Sequence, residues 1–194
     1  MKKIIFNDKY GLTRAVLEGR KTQTRRIAYT GNATNIDCAI CVEPKNIGRA
    51  TLFHGIDEIA HSRYCIGEEV AVAQAYICLI NDRTYSDNEI LEMACSKGWI
   101  NKRYVKADLM PNRIRITNIR IERLQDNSEE DCLAEGIVDF ESRINKAHFY
   151  SITDESATYG TAKKPYSLLI DKICGKGTWK SNPYVFVYEF ELIK

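Results

Sequence analysis

The chain has no apolar run approaching the length of a membrane-spanning helix, and Met1-Lys2-Lys3-Ile4-Ile5-Phe6 is too short for a signal peptide. The expectation is a cytoplasmic protein without a membrane partner. Internal repeats, low-complexity tracts and linker-like stretches are all missing. Its seven cysteines are odd in number and scattered, which fits reduced thiols better than a disulfide framework. One C-x-x-C, Cys38-Ala39-Ile40-Cys41, is followed by His54, His61 and Cys65. Zinc needs about four soft ligands in tetrahedral reach, so this set could close a site in principle. The spacing matches no standard finger, no second C-x-x-C exists, and neither a metal nor a cofactor is expected. Gly175-Lys176-Gly177 lacks the spacing and strand context of a phosphate loop. No Ser/His/Asp set suggests itself, and His54, His61 and His148 read as solvent or packing residues.

At 194 residues, with 44% hydrophobic and 28% charged residues, the chain suits one well-buried core. A net charge of +2 favours no particular partner, but its distribution is uneven. Residues 19–36 hold four cations and no acid, and residues 97–115 hold six cations against Asp108. Residues 122–141 hold eight acids against Arg123. If the two basic stretches meet in the fold, they make an electropositive surface suited to phosphates.

Ile4-Ile5-Phe6 suits a first strand, and Leu12 to Glu18 a short helix with Leu12, Val16 and Ala15 inward and Gly19 as its C-terminal cap. Gly67-Glu68-Glu69 reads as a turn into a strand from Val70 to Ile77, covered on both faces. Asp87 to Lys97 reads as a helix with Ile90, Leu91 and Ala94 inward. In Arg113 to Glu122 the isoleucines change phase, since Ile114 and Ile116 share one parity and Ile119 and Ile121 the other. A bulge or sharp bend is therefore expected at Thr117-Asn118. Ser128 to Asp131 opens a short helix that Gly136 ends, residues 139–163 read as a polar excursion, and Pro165 begins a helix ending at Gly175. The last strand follows Pro183, and its stripe Tyr184, Phe186, Tyr188, Phe190 and Leu192 reads as core before base-stacking platform. The sum is a mixed α+β domain with a largely antiparallel sheet or barrel.

The densest run of chemistry-bearing residues is Gly19-Arg20-Lys21-Thr22-Gln23-Thr24-Arg25-Arg26. Alone, a charge run of this kind is usually a solvated loop. Lys21 and Thr24 would point to opposite faces of a regular strand and converge only if Lys21 sits in the preceding loop. Threonine becomes a nucleophile when a base removes its proton, and lysine is a base only when neutral. Arg20, Arg25 and Arg26 would push the lysine pKa down, which is the direction such a pair needs. Glu135, in the last turn of its helix, places a negative charge where the helix dipole disfavours one. Such local rule-breaking is enriched at functional sites, although an exposed glutamate in an acidic segment is the plainer reading.

The basic run, the Gly67-Glu68-Glu69 turn, Ile119-Arg120-Ile121-Glu122-Arg123-Leu124, and Asp131-Cys132-Leu133-Ala134-Glu135-Gly136-Ile137 together resemble the ASCH family. Residues 179–190, Trp179 to Phe190, resemble the end of its phage and prophage-associated branch. The resemblance implies a PUA-like small mixed or antiparallel β-barrel with flanking helices, and a cleft that binds RNA or a modified nucleoside. Against that pattern, residues 28–64, 77–109 and 138–165 look like insertions within a single domain spanning 1–194. A bacterial branch with a similar G-x-K-T-x-T motif hydrolyses N-acetylcytidine. Carried over, its roles give Thr24 as nucleophile, Lys21 as the base activating it, and Glu135 as proton donor or orienting group. Arg20, Thr22, Gln23, Arg25 and Arg26 would then contact the ligand. The alternatives are a nucleic-acid-binding module without catalysis and a phage accessory or scaffold protein.

Overall fold

Arg113–Arg123, eleven residues long, is the longest strand and the axis of the main sheet. The structure is a computed structural model and describes residues 1–28, 41–42, 48–54, 57–80, 85–142, 144–154 and 157–193. In chain order its elements are β1 (Lys2–Ile4), α1 (Leu12–Leu17), β2 (Gln23–Ile27), β3 (Cys41–Val42), β4 (Thr51–His54), β5 (Asp57–His61), β6 (Glu69–Val72), α2 (Asp87–Ala94), β7 (Arg113–Arg123), α3 (Glu129–Ala134), β8 (Val138–Glu141), β9 (His148–Ser151), α4 (Lys163–Cys174), α5 (Thr178–Ser181) and β10 (Tyr184–Ile193). This is a mixed α+β architecture. Five strands form one mixed sheet in the order β1-β6-β7-β10-β2, with β1 parallel to β6 and the other neighbours antiparallel.

The phase change in the isoleucines has the expected physical cause. Glu189 on β10 faces Asn118, but the next residue, Phe190, faces Ile116, so Thr117 is the extra residue of a bulge. The bulge restores the alternation and lets Ile114, Ile116 and Ile119 all enter one core at 1% exposure or less. β1 and β2 are the edges of the sheet, and no ladder joins them among the described residues. The edges nevertheless approach, since Arg26 Nη2 donates to the Ile5 carbonyl at 2.9 Å.

Strand β6 is buried on both faces, and its residues divide between two cores. Val70 and Val72 join the main cluster with Ile114, Ile116, Val187 and Phe190, while Ala71 and Ala73 pack with Tyr76, Leu79, Met93, Val105 and Met110. The strand ends at Val72, five residues before the expected Ile77, because Tyr76 turns into a 3₁₀ segment. Its ring closes on Gly98 and its hydroxyl accepts the Lys106 N–H at 2.7 Å. A second correction falls on α2, which buries Met93 and leaves Leu91 64% exposed. The segment 139–163, read as an excursion, contains most of the β8–β9 hairpin.

Elsewhere the local chemistry holds. Gly19 takes a left-handed φ of 77° just past α1, and Gly136 one of 100° just past α3. Ser128 caps α3 in a capping box with Asp131. The final strand's Phe186, Tyr188 and Phe190 are at most 4% exposed. No helix among the described residues is long and apolar enough to cross a membrane.

Candidate functional site

Lys21 leaves the strand rule behind because it precedes β2. Gly19 ends α1, and the Lys21 N–H then donates back to the Ala15 carbonyl, so the side chain turns inward before Gln23 begins the strand. The opposing partner arrives from α3. The Thr22 N–H donates to the Ala134 carbonyl at 2.9 Å, docking the helix C-terminus on the edge strand and bringing Glu135 to the buried lysine.

The result is a closed contact. Lys21 Nζ donates to the Gln23 carbonyl, the Glu135 carbonyl and Glu135 Oε2, each at 2.7 Å. The Lys21 and Glu135 side chains are 1% and 7% exposed. With three N–H donors, the ammonium form satisfies all three acceptors. Burial pushes the Lys21 pKa below its ordinary value, Glu135 opposes the shift, and Arg26 and Arg25 add to it. The downward direction matches the sequence reading, but desolvation leads and the neighbouring arginines contribute least.

Arg25 extends this contact into a network. Its side chain is 1% exposed and reaches Glu135 Oε1 at 3.2 Å, Glu122 Oε1 at 2.5 Å and Asp131 Oδ2 at 3.0 Å. Arg120 adds bonds to Glu122 Oε2 and Asp131 Oδ1, both at 2.9 Å, and to Glu189. Sequence reading set Arg25 among ligand-contacting residues, whereas here its guanidinium is occupied by internal carboxylates. Tyr166 of α4, 1% exposed, lies in the field of Glu135 and Arg25, and its hydroxyl makes no hydrogen bond among the described residues. Burial followed by Glu135 pushes that phenol well above its ordinary range.

The acid limb of stability should report this network. Burial raises the Asp131 pKa, but its backbone hydrogen bond at Ser128, then Arg25, Gln23 and Arg120, bring it below the ordinary 3.8. A depressed carboxyl contributes stability that is present above its unfolded value and is lost as pH falls through its folded value. Asp131→Asn is therefore expected to be less stable than the wild type near neutral pH, with the gap narrowing below about pH 4. Urea denaturation across that range measures it, and a gap that stays constant with pH would contradict the assignment.

The remaining residues of the basic run separate by face. Thr24 stands opposite Tyr188 and Arg26 opposite Phe186, while Gln23 and Arg25 stand opposite Glu189 and Val187. Thr24 is thus buried, at 4% exposure, on the sheet face away from the Arg25 network. Gln23 is equally buried and accepts from Arg120 through Oε1. Thr22 and Arg20 are exposed, and Arg20 pairs with Glu18.

Arg26 borders two clefts. The first, of about 520 Å³, is lined by Lys3, Ile5, Arg26, Ile27, Ala60, His61, Arg63, Tyr64, Phe186 and Tyr188. Tyr64 and Tyr188 lie at its base in edge contact at 5.2 Å, and no carboxylate among the described residues lines it. The second, of about 470 Å³, shares Ile5 and Arg26 and adds Asp8, Lys102 and Arg103. The two basic stretches of the sequence therefore do meet, although Lys102 is neutralised by Asp8 at 2.6 Å. Sequence reading missed Lys3, Arg63 and Tyr64. They come from two separate stretches with no motif, Lys3 and the adjacent Arg63-Tyr64, and only the approach of the sheet edges collects them.

The possible zinc set is only partly placed. Cys38 lies outside the described residues, as do the side chains of Cys41 and His54, and no group of metal-ligating side chains forms among those described. Cys65, Cys78, Cys95, Cys132 and Cys174 are free thiols. A scan against protein-family models and searches of curated proteins and of solved structures each find no match to this chain.

Proposed function

We propose that the chain is an ASCH-type protein that binds RNA or a modified nucleoside in the first cleft beside Arg26. The supporting observation is the composition of that cleft, which has aromatic side chains and cations but, among the described residues, no carboxylate on its walls. Its volume lies within the roughly 300–1,000 Å³ usual for small-ligand sites. A curled sheet whose edges meet through Arg26 and Ile5 suits the PUA-like barrel that the resemblance implies. A carboxylate introduced at the rim should repel an anionic ligand without disturbing the core. Ile27, 42% exposed and lining the cleft, is the place for it. Ile27→Glu is expected to weaken binding of a short RNA by at least about tenfold, with its circular dichroism unchanged. Wild-type protein that binds neither RNA nor nucleosides, or an Ile27→Glu variant that binds like wild type, would sink this reading.

Hydrolysis of an exocyclic amide on an N-acylated cytosine is a second reading, favoured by one contact. Lys21 and Glu135, 114 positions apart, meet at 2.7 Å. As an ammonium the lysine holds no free lone pair. Acting as a base requires it first to pass a proton to Glu135, in the direction burial favours, and requires Thr24, which stands on the sheet face away from Arg25, to turn toward it. Incubation with N-acetylcytidine should then yield cytidine and acetate, and Thr24→Val should abolish the yield in a folded protein. No product from the wild type across several N-acylated cytosines would leave binding alone.

A further inference from the structure

Three cations surround the first cleft, and none has a carboxylate partner among the described residues. Arg63 is exposed, and its guanidinium stands over the Tyr64 ring at 5.7 Å without a hydrogen bond to the described residues. Arg26, also exposed, gives one donor to Ile5 and keeps the rest of its five. Lys3 Nζ donates to the Arg103 and Val105 carbonyls at 2.8 and 2.5 Å, which leaves one of its three donors. Lys21, Arg25, Lys102 and Arg120 elsewhere in the fold each have an acidic partner within 4 Å, although other cations such as Lys9 and Arg103 have none among the described residues.

Arg26 and Arg63 also act on a common point. Burial raises the Tyr64 pKa, and Arg63 and Arg26 both oppose that rise, which places both guanidiniums within electrostatic reach of one phenol. An uncharged nucleoside would gain little from such an arrangement. A phosphate monoester gains charge-assisted hydrogen bonds from each planar fork.

We propose that the ligand of this cleft is a phosphate-bearing nucleotide rather than an uncharged nucleoside, with the phosphate held by Arg26 and Arg63, Lys3 supplying a third cation, and the base occupying the rest of the hollow. The inference rests on the binding function proposed above and narrows its ligand. The volume suits one nucleotide unit, since sites of this size enclose a single small ligand.

The decisive measurement is calorimetric titration of the wild type, Arg26→Ala and Arg63→Ala with the four common nucleosides, their 5′-monophosphates and ribose 5-phosphate. At least one monophosphate should bind the wild type about tenfold or more tightly than its own nucleoside, and added salt should erode that advantage. In either variant the advantage should fall below about threefold, while the affinity of the nucleoside changes by less than about twofold. A nucleoside that binds as tightly as its monophosphate overturns the inference and leaves the binding function standing. If no monophosphate binds, or ribose 5-phosphate binds as tightly as the best monophosphate, the inference is overturned, and the binding function is then decided by the RNA titration of wild type and Ile27→Glu. Should Arg26→Ala fail to fold, Arg63→Ala decides, because the Arg63 guanidinium holds no other element in place.

Discussion

Arg25→Met is expected to destabilise the protein by about 3–5 kcal/mol, among the largest losses any single substitution should cause. Glu122, Asp131 and Glu135 each lose one of their cations in this variant, in a site where the arginine side chain is 1% exposed. Carboxylates stripped of a partner in such surroundings carry a desolvation cost that water cannot relieve. Arg25→Lys should recover less than half of the loss, since one ammonium cannot span three carboxylates as a planar guanidinium does. Urea denaturation followed by the fluorescence of Trp99 and Trp179 gives the number, read as a shift in midpoint at constant slope. Lowering the pH below about 4 should shrink the penalty as Asp131 takes up a proton. A loss below about 1 kcal/mol, of the size seen for exposed ion pairs, would mean that the network is solvated.

The second large effect belongs to the Lys21–Glu135 pair. Glu135→Leu leaves a buried ammonium without its carboxylate, and Lys21→Met leaves the reverse, each at an expected cost of about 3–5 kcal/mol. Removing both partners should cost much less than the two losses added together, because well-packed apolar side chains replace a buried pair at little net expense. The double-mutant cycle should therefore show a coupling of about 2 kcal/mol or more. Additive losses would mean that the 2.7 Å contact contributes nothing specific. The same double variant separates architecture from chemistry. It should fold and retain the first cleft, yet form no cytidine from N-acetylcytidine if Lys21 and Glu135 serve hydrolysis.

Both effects concern residues that the sequence singled out for other reasons. The arginine was grouped with Arg26 because the two are adjacent in a basic run, but strand alternation sends them to opposite faces. Arg26 goes to the clefts, and Arg25 to α3 and Glu122 of β7. That division follows from a period of two once the strand is known to start at Gln23. The glutamate was noticed as an acid at the wrong end of a helix. Its carboxylate meets a buried lysine and a buried arginine there, which compensates the unfavourable dipole.

What could be read without coordinates was local and periodic. The isoleucine phase change located the bulge at Thr117, since only an extra residue keeps four isoleucines on one side of β7. Gly19, Ser128, Gly136 and Pro165 marked the ends of helices because caps and fixed dihedrals act within a few residues. Segments governed by distant packing were misread. Strand β6 stops early because Tyr76 is drawn to Gly98 and Lys106, and α2 turns Met93 inward because its small core lies on the far side of Ala71 and Ala73. Tertiary structure alone decided that Lys21 meets Glu135, and that Lys3, Arg26, Arg63 and Tyr64 share one hollow. No periodicity in a chain encodes contacts across 114 positions. The first arises when α3 docks its C-terminus beside β2, the second when the two edges of the sheet approach, and both depend on how all the elements pack together.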